Sequence, residues 1–127
     1  MTITVMLVDD SKLARIVAGK TLAALQPQWA KIEASNADEA MQLIASQHVD
    51  VAILDFNMPG RDGLELAAEL REAHPQMPIA IITANIQDEV IARARAVNAT
   101  FVPKPVTEEG MAGFISGAAL RLKQARQ

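Results

Sequence analysis

Cysteine and tyrosine are both absent from this sequence of 127 residues. Without cysteine there is no disulfide framework, no thiolate metal site and no cysteine nucleophile. Aromatic side chains are scarce, only Trp29, Phe56, Phe101 and Phe114, which argues against a surface that stacks nucleic-acid bases. Positive charge is not in excess either. Twelve lysines and arginines face fifteen aspartates and glutamates, a net of −3, so no basic footprint for nucleic acid exists. No apolar run approaches the roughly 20 residues of a membrane helix. The opening MTITVMLVDD lacks a basic n-region and turns acidic, unlike a signal peptide. These absences lead us to expect one globular, cytoplasmic domain over residues 1–127, with neither nucleic acid nor membrane as a partner.

What is present alternates between two characters. Ile3 to Val8, Val51 to Leu54 and Pro78 to Ile82 are short, β-branched and nearly continuous, as strands buried on both faces should be. Ala30 to Ser35 and Thr100 to Val102 read as shorter or edge strands. Between them fall helical stripes: Ala37, Ala40, Met41 and Ile44; Ile86, Val90, Ala94 and Val97; and Met111, Phe114, Ile115, Ala118 and Leu122. Segments 12–25 and 63–73 are rich in alanine and leucine and are helical by propensity. Asn98 stands where a left-handed helix cap belongs, and Thr107 with Glu108 and Glu109 supplies a cap and an acidic first turn. Five strand–helix units in strict alternation predict an α/β fold, a doubly wound parallel sheet with helices on both faces.

In such a sheet, ligands bind beyond the carboxyl ends of the strands. The first strand runs out into Asp9 and Asp10, the third into Asp55, the fourth into Thr83 and the fifth toward Lys104. With the first and third strands adjacent, three carboxylates converge on one rim. Like charges so close call for a cation, and an all-oxygen set without histidine or cysteine suits Mg²⁺. A carboxylate beside Mg²⁺, faced by a lysine and a hydroxyl, is equipped as a nucleophile for phosphoryl transfer.

The motifs V-D-D at 8–10, D-F-N-M-P-G at 55–60, D-G at 62–63, T-A at 83–84 and K-P at 104–105 fall in order along the chain. In this the chain resembles the receiver domains of two-component response regulators, most closely the stand-alone chemotaxis type. The resemblance implies a flavodoxin-like fold of five strands in the order 2-1-3-4-5 with five helices. It implies that Asp55 is the phosphoacceptor, and that Asp10, Asp55 and the main-chain carbonyl of Asn57 hold Mg²⁺ directly, with Asp9 acting through water. It further implies that Lys104 pairs with the phosphoryl group, that Thr83 moves toward it, and that the Lys104–Pro105 bond is cis. The donor would be a phosphohistidine on a sensor kinase or a phosphotransfer protein, with His48 and His74 as bystanders. The output would be altered binding of a downstream protein through the face from the fourth strand to the last helix. Asn57 and Asn85 occupy positions that tune phosphate lifetime in the family.

Blander readings exist for the same residues. Asp9, Asp10 and Ser11 can be turn and N-cap residues, and Thr83 can cap the next helix. An Mg²⁺-dependent phosphatase with an aspartate nucleophile would need a second acid two residues on, where Asn57 stands. A phosphorylation-independent interaction domain would not need all five motifs. The chain is expected either to act on another protein or to have been cut from a longer regulator with a separate output domain. Gly110, Gly113 and Gly117 line one strip of the last helix, at a cost of about 1 kcal/mol each relative to alanine. The strip reads either as a loose helix or as a surface for close approach of a partner or a second copy, a homodimer. Finally, the missing tyrosine has a place. Three residues before Lys104, chemotaxis-type relatives usually carry a tyrosine that turns inward with the threonine; here Phe101 keeps the ring and loses the hydroxyl.

Overall fold

The computed structural model describes residues 2–84 and 87–125. Its strands are β1 (Thr4–Val8), β2 (Ala30–Ala34), β3 (Val51–Asp55), β4 (Ile79–Thr83) and β5 (Thr100–Pro103). Its helices are α1 (Lys12–Leu25), α2 (Ala37–Ser46), α3 (Gly63–Ala73), α4 (Asp88–Ala96) and α5 (Glu108–Ala125). All strand pairs are parallel, in the order β2-β1-β3-β4-β5. This is the flavodoxin-like arrangement. The two segments read as short or edge strands, β2 and β5, are indeed the edges.

Each strand shows alternate residues to opposite faces, and each face is closed by its own helices. Met6, Val8, Leu54 and Ile81 pack with Leu66 and Leu70 of α3 and Val90 and Ala94 of α4. Val5, Leu7, Ile53, Ile82 and Val102 pack with Leu22 of α1 and Met111, Phe114 and Ile115 of α5. The helical stripes read from sequence are therefore core-facing, apart from Ile86, which lies outside the described residues.

Helix ends follow local chemistry. Ser11 caps α1, Asn36 caps α2 and Asp62 closes a capping box with Glu65 on α3. Thr107 Oγ1 accepts the Gly110 amide at 2.9 Å at the start of α5. Asn98, at φ 55°, ends α4 in a Schellman turn: the Ala99 amide bonds the Ala94 carbonyl and the Asn98 amide the Arg95 carbonyl. Of the glycines on α5, Gly113 and Gly117 look onto open space, and Gly110 lies against Thr107 Oγ1.

One arginine ties this turn to the rest. Arg71 of α3 donates to the carbonyls of Val97, Asn98, His74, Pro75 and Met77, at 2.7–3.3 Å. Burial, then the charge of Arg121, lowers its pKa from the ordinary value. Arg71→Leu strands these carbonyls and should cost about 2 kcal/mol in urea unfolding; a loss below about 0.5 kcal/mol would mean that water replaces the guanidinium freely.

Candidate functional site

The carboxyl ends of β1, β3, β4 and β5 bring the predicted residues to one rim. Asp55 is the last residue of β3 and only 3 % exposed. Asp9, 9 % exposed, follows β1, and Asp10 beside it is exposed. One carboxylate oxygen from each of Asp9, Asp10 and Asp55 lies within 4.8 Å of the others. Lys104 Nζ approaches Asp55 Oδ1 to 2.6 Å. That oxygen is buried and takes no well-aligned hydrogen bond, so the short approach of Lys104 is its polar contact.

Electrostatics at the rim oppose ionisation. Burial raises the Asp55 carboxyl above its ordinary 3.8, against the opposing pull of Lys104, and Asp10 adds to the rise. Asp9 is likewise raised, first by burial and then by Asp55, although the Ser11 amide bonds its Oδ1 at 2.9 Å. Desolvation and like charge thus exceed what one lysine, itself 35 % exposed, supplies.

Thr83 ends β4 and is fully buried. Its carbonyl accepts the Lys104 amide at 3.1 Å, which fixes the exit of β5 against the exit of β4. The Lys104–Pro105 peptide is cis. Asn57 is exposed on the loop after β3, and Phe101 is half-buried on β5. Asn85 lies outside the described residues. The N-cap of α4 is Gln87, so Thr83 is not that helix's cap. Ser11 does cap α1, and Asp9 does brace the turn before it. The bland and the chemical readings of D-D-S therefore hold together. His48 and His74 are remote: His48 Nε2 pairs with Asp50 Oδ1 at 2.7 Å at the opposite end of β3, and His74 caps the far end of α3.

Three features escaped the sequence reading. Gly63, the first residue of α3, presses on the end of β3: a Cβ there would stand 2.3 Å from the Asp55 carbonyl oxygen. A glycine opening a helix just after its capping aspartate was the available signal. Arg93 of α4 lies 6.0 Å from the Phe56 ring centroid and 3.3 Å from Asp62 Oδ2, tying α4 to the loop after β3. Arg15 of α1 reaches the Asp9 carbonyl at 2.5 Å and Glu33 at 2.9 Å. Neither arginine carries a sequence signal, because each acts across elements distant in the chain. Beside Asp9 and Lys104, a largely apolar groove of about 560 Å³ opens between α1 and the β5–α5 connection, lined by Leu13, Val17, Ile53 and Ile82 among others.

A doubly wound sheet with this acidic rim defines the receivers of two-component signalling. The response regulator receiver domain family matches residues 5–115, and the chain belongs to it. It is 37 % identical over 117 residues to the positive alginate biosynthesis regulatory protein of Pseudomonas aeruginosa, a match covering 91 % of this chain and 46 % of that protein. It is 29 % identical over 124 residues to the DNA-binding transcriptional regulator NtrC of Escherichia coli, covering 97 % of this chain and 26 % of that one. The chain thus spans less than half the length of these relatives. Among solved structures, the chemotaxis response regulator CheY4 of Vibrio cholerae superposes with a TM-score of 0.83 at 26 % identity, over 93 % of this chain and 99 % of that one. A CheY-like receiver domain protein from Methanospirillum hungatei shares the fold, with a TM-score of 0.87 at 19 % identity over 98 % and 99 % of the two chains. Among the described residues, no helix is long and apolar enough to cross a membrane.

Proposed function

We propose that this chain is a phosphorylation-dependent switch in which Asp55 accepts a phosphoryl group from a phosphohistidine on a sensor kinase or phosphotransfer protein. The observation that carries the reading is the pairing of buried Asp55 with Lys104 at 2.6 Å inside a three-carboxylate cluster. An acid placed at the end of an apolar strand, and destabilised there, is poorly explained by structure alone.

The cluster fits a hard dication: its donors are all oxygen, two of its carboxyls resist ionisation, and Asp55 Oδ1 lacks an aligned donor. Asp10, Asp55 and the Asn57 carbonyl would hold Mg²⁺ directly and Asp9 through water, and the ion would neutralise charge on the phosphoryl oxygens. An Asp55 carboxylate oxygen attacks phosphorus, a P–O bond forms as the P–N bond to the donor imidazole breaks, and the imidazole leaves with the electron pair. Lys104 then pairs with a phosphoryl oxygen, and the Thr83 hydroxyl donates to another. The apolar groove beside α1 gives the donor protein a surface to approach over. Chemistry by this chain is confined to forming and hydrolysing its own acyl phosphate, with Asn57 setting access of water. The added charge, about −1.5 to −2, shifts the β4–α5 face and with it the binding of a downstream protein. The short share of the longer relatives favours a second reading, a receiver unit of a regulator whose output lies elsewhere in the protein.

With Mg²⁺ and acetyl phosphate, the protein should gain one hydroxylamine-sensitive phosphate per chain, and Asp55→Ala should gain none. Labelling that persists in Asp55→Ala would overturn the assignment.

A further inference from the structure

We infer that Arg15 is a positioning residue for the acidic rim, acting through the peptide that joins Asp9 to Asp10; this rests on the reading of that rim as a divalent-cation site. Asp9 leaves the sheet still half paired. Its amide bonds the Ala34 carbonyl of β2 at 3.1 Å, and its Oδ1 accepts the Ser11 amide. Its carbonyl, where the strand ladder stops, is taken by Arg15 Nη1 at 2.5 Å. Every polar group of Asp9 that orients the turn is thereby bound on one side or another.

Asp10 is exposed and draws its placement from the backbone before and after it. The Asp9–Asp10 peptide plane sets where the Asp10 Cα stands, and Arg15 holds that plane. The guanidinium is itself fixed by its fork: Nε donates to Glu33 Oε1 at 2.9 Å while Nη1 reaches the carbonyl. The Arg15 side chain is only 15 % exposed, so its geometry is restricted. Glu33 has a second effect. Its negative charge offsets the guanidinium, which would otherwise repel a dication bound nearby. Edge strand β2, helix α1 and the rim are joined in this way by one side chain. Groups that orient metal ligands without touching the metal commonly change affinity tenfold or more.

The test measures Mg²⁺ binding by isothermal titration calorimetry in the full chain, with no phosphodonor, together with phosphorylation by acetyl phosphate at limiting and saturating Mg²⁺. Arg15→Ala should weaken Mg²⁺ binding about tenfold and slow phosphorylation at limiting Mg²⁺, with recovery to within about twofold of wild type at saturation. Arg15→Lys, which retains one donor without the fork, should fall between the two. Glu33→Gln, on the exposed edge, should weaken Mg²⁺ about threefold and remains informative where Arg15→Ala fails to fold. Unchanged Mg²⁺ affinity in Arg15→Ala, or in Glu33→Gln when the alanine variant is unfolded, overturns the inference while leaving the cation site intact. Absence of Mg²⁺ binding in the unsubstituted protein overturns both.

Discussion

Asp55→Asn is expected to raise the melting temperature of the metal-free protein, by about 3–8 °C at neutral pH, for roughly 1–2 kcal/mol. Two effects compete at this position. The 2.6 Å pair with Lys104 favours the carboxylate, whereas burial and the neighbouring Asp10 oppose it. The carboxyl is raised above 3.8, so the opposing side wins. Asparagine keeps the shape and removes the charge that Asp9 and Asp10, with oxygens within 4.8 Å, oppose. The pH dependence has a definite sign. With Asp9 and Asp55 both raised, the folded state binds protons more tightly than the unfolded one. Their contribution to stability is therefore fully present below 3.8 and declines as pH rises through the folded values. Asp55→Asn should flatten that decline, and saturating Mg²⁺ should reverse it in the unsubstituted protein. A lower melting temperature for Asp55→Asn at pH 7 would show that the Lys104 pair dominates after all.

Gly63→Ala should act in the opposite direction and more strongly. A Cβ on residue 63 would meet the Asp55 carbonyl oxygen at 2.3 Å, its carbonyl carbon at 2.9 Å and the Phe56 Cα at 3.0 Å. These are backbone atoms at the end of a central strand, so no side chain can rotate away. Relief requires α3 to retreat, breaking the 2.9 Å bond from the Gly63 amide to the Phe56 carbonyl, or β3 to bend and carry Asp55 off Lys104. Overpacking of this kind costs about 3 kcal/mol, near 10 °C in melting temperature. Under the proposed function, phosphorylation of the variant by acetyl phosphate should fall at least tenfold even at temperatures where it is folded, since displacing Asp55 on the ångström scale is that costly to an in-line attack. Wild-type stability and rate in Gly63→Ala would mean that the helix start yields without strain.

Much of this was legible in the sequence, for physical reasons that can be named. β1, β3 and β4 are buried on both faces and so read as continuous β-branched runs. The caps at Thr107 and Asn98 were visible because a hydroxyl and a left-handed residue do local work. Asp9, Asp10, Asp55 and Lys104 stood out because an ionisable group at the end of an apolar strand needs a reason to be there. Arg15, Arg71 and Arg93 did not stand out. Arg71 serves carbonyls of the turns after α4 and after α3, and Arg15 serves Asp9 and an edge strand, and no period or motif in one sequence encodes such crossings. The strand order, too, came from resemblance to a family and not from the pattern of apolar residues.

The alternation of the sheet has a consequence for how the rim is divided. Asp55 follows Ile53 by two and Lys104 follows Val102 by two, so both lie in phase with the residues that face α1 and α5. Thr83 follows Ile81 by two and is in phase with the residues that face α3 and α4. The sheet is thus a partition, and a group bonded to both Asp55 and Thr83 would reach over its edge. Under the proposed function, arrival of a donor on the α1 side and displacement of α4 on the other would occupy separate ground. The arrangement depends on register: a one-residue slip at the end of β4 would put Thr83 on the donor's side while leaving the Asp55–Lys104 pair whole. Such a protein would still be chemically competent and would be deaf on its far face.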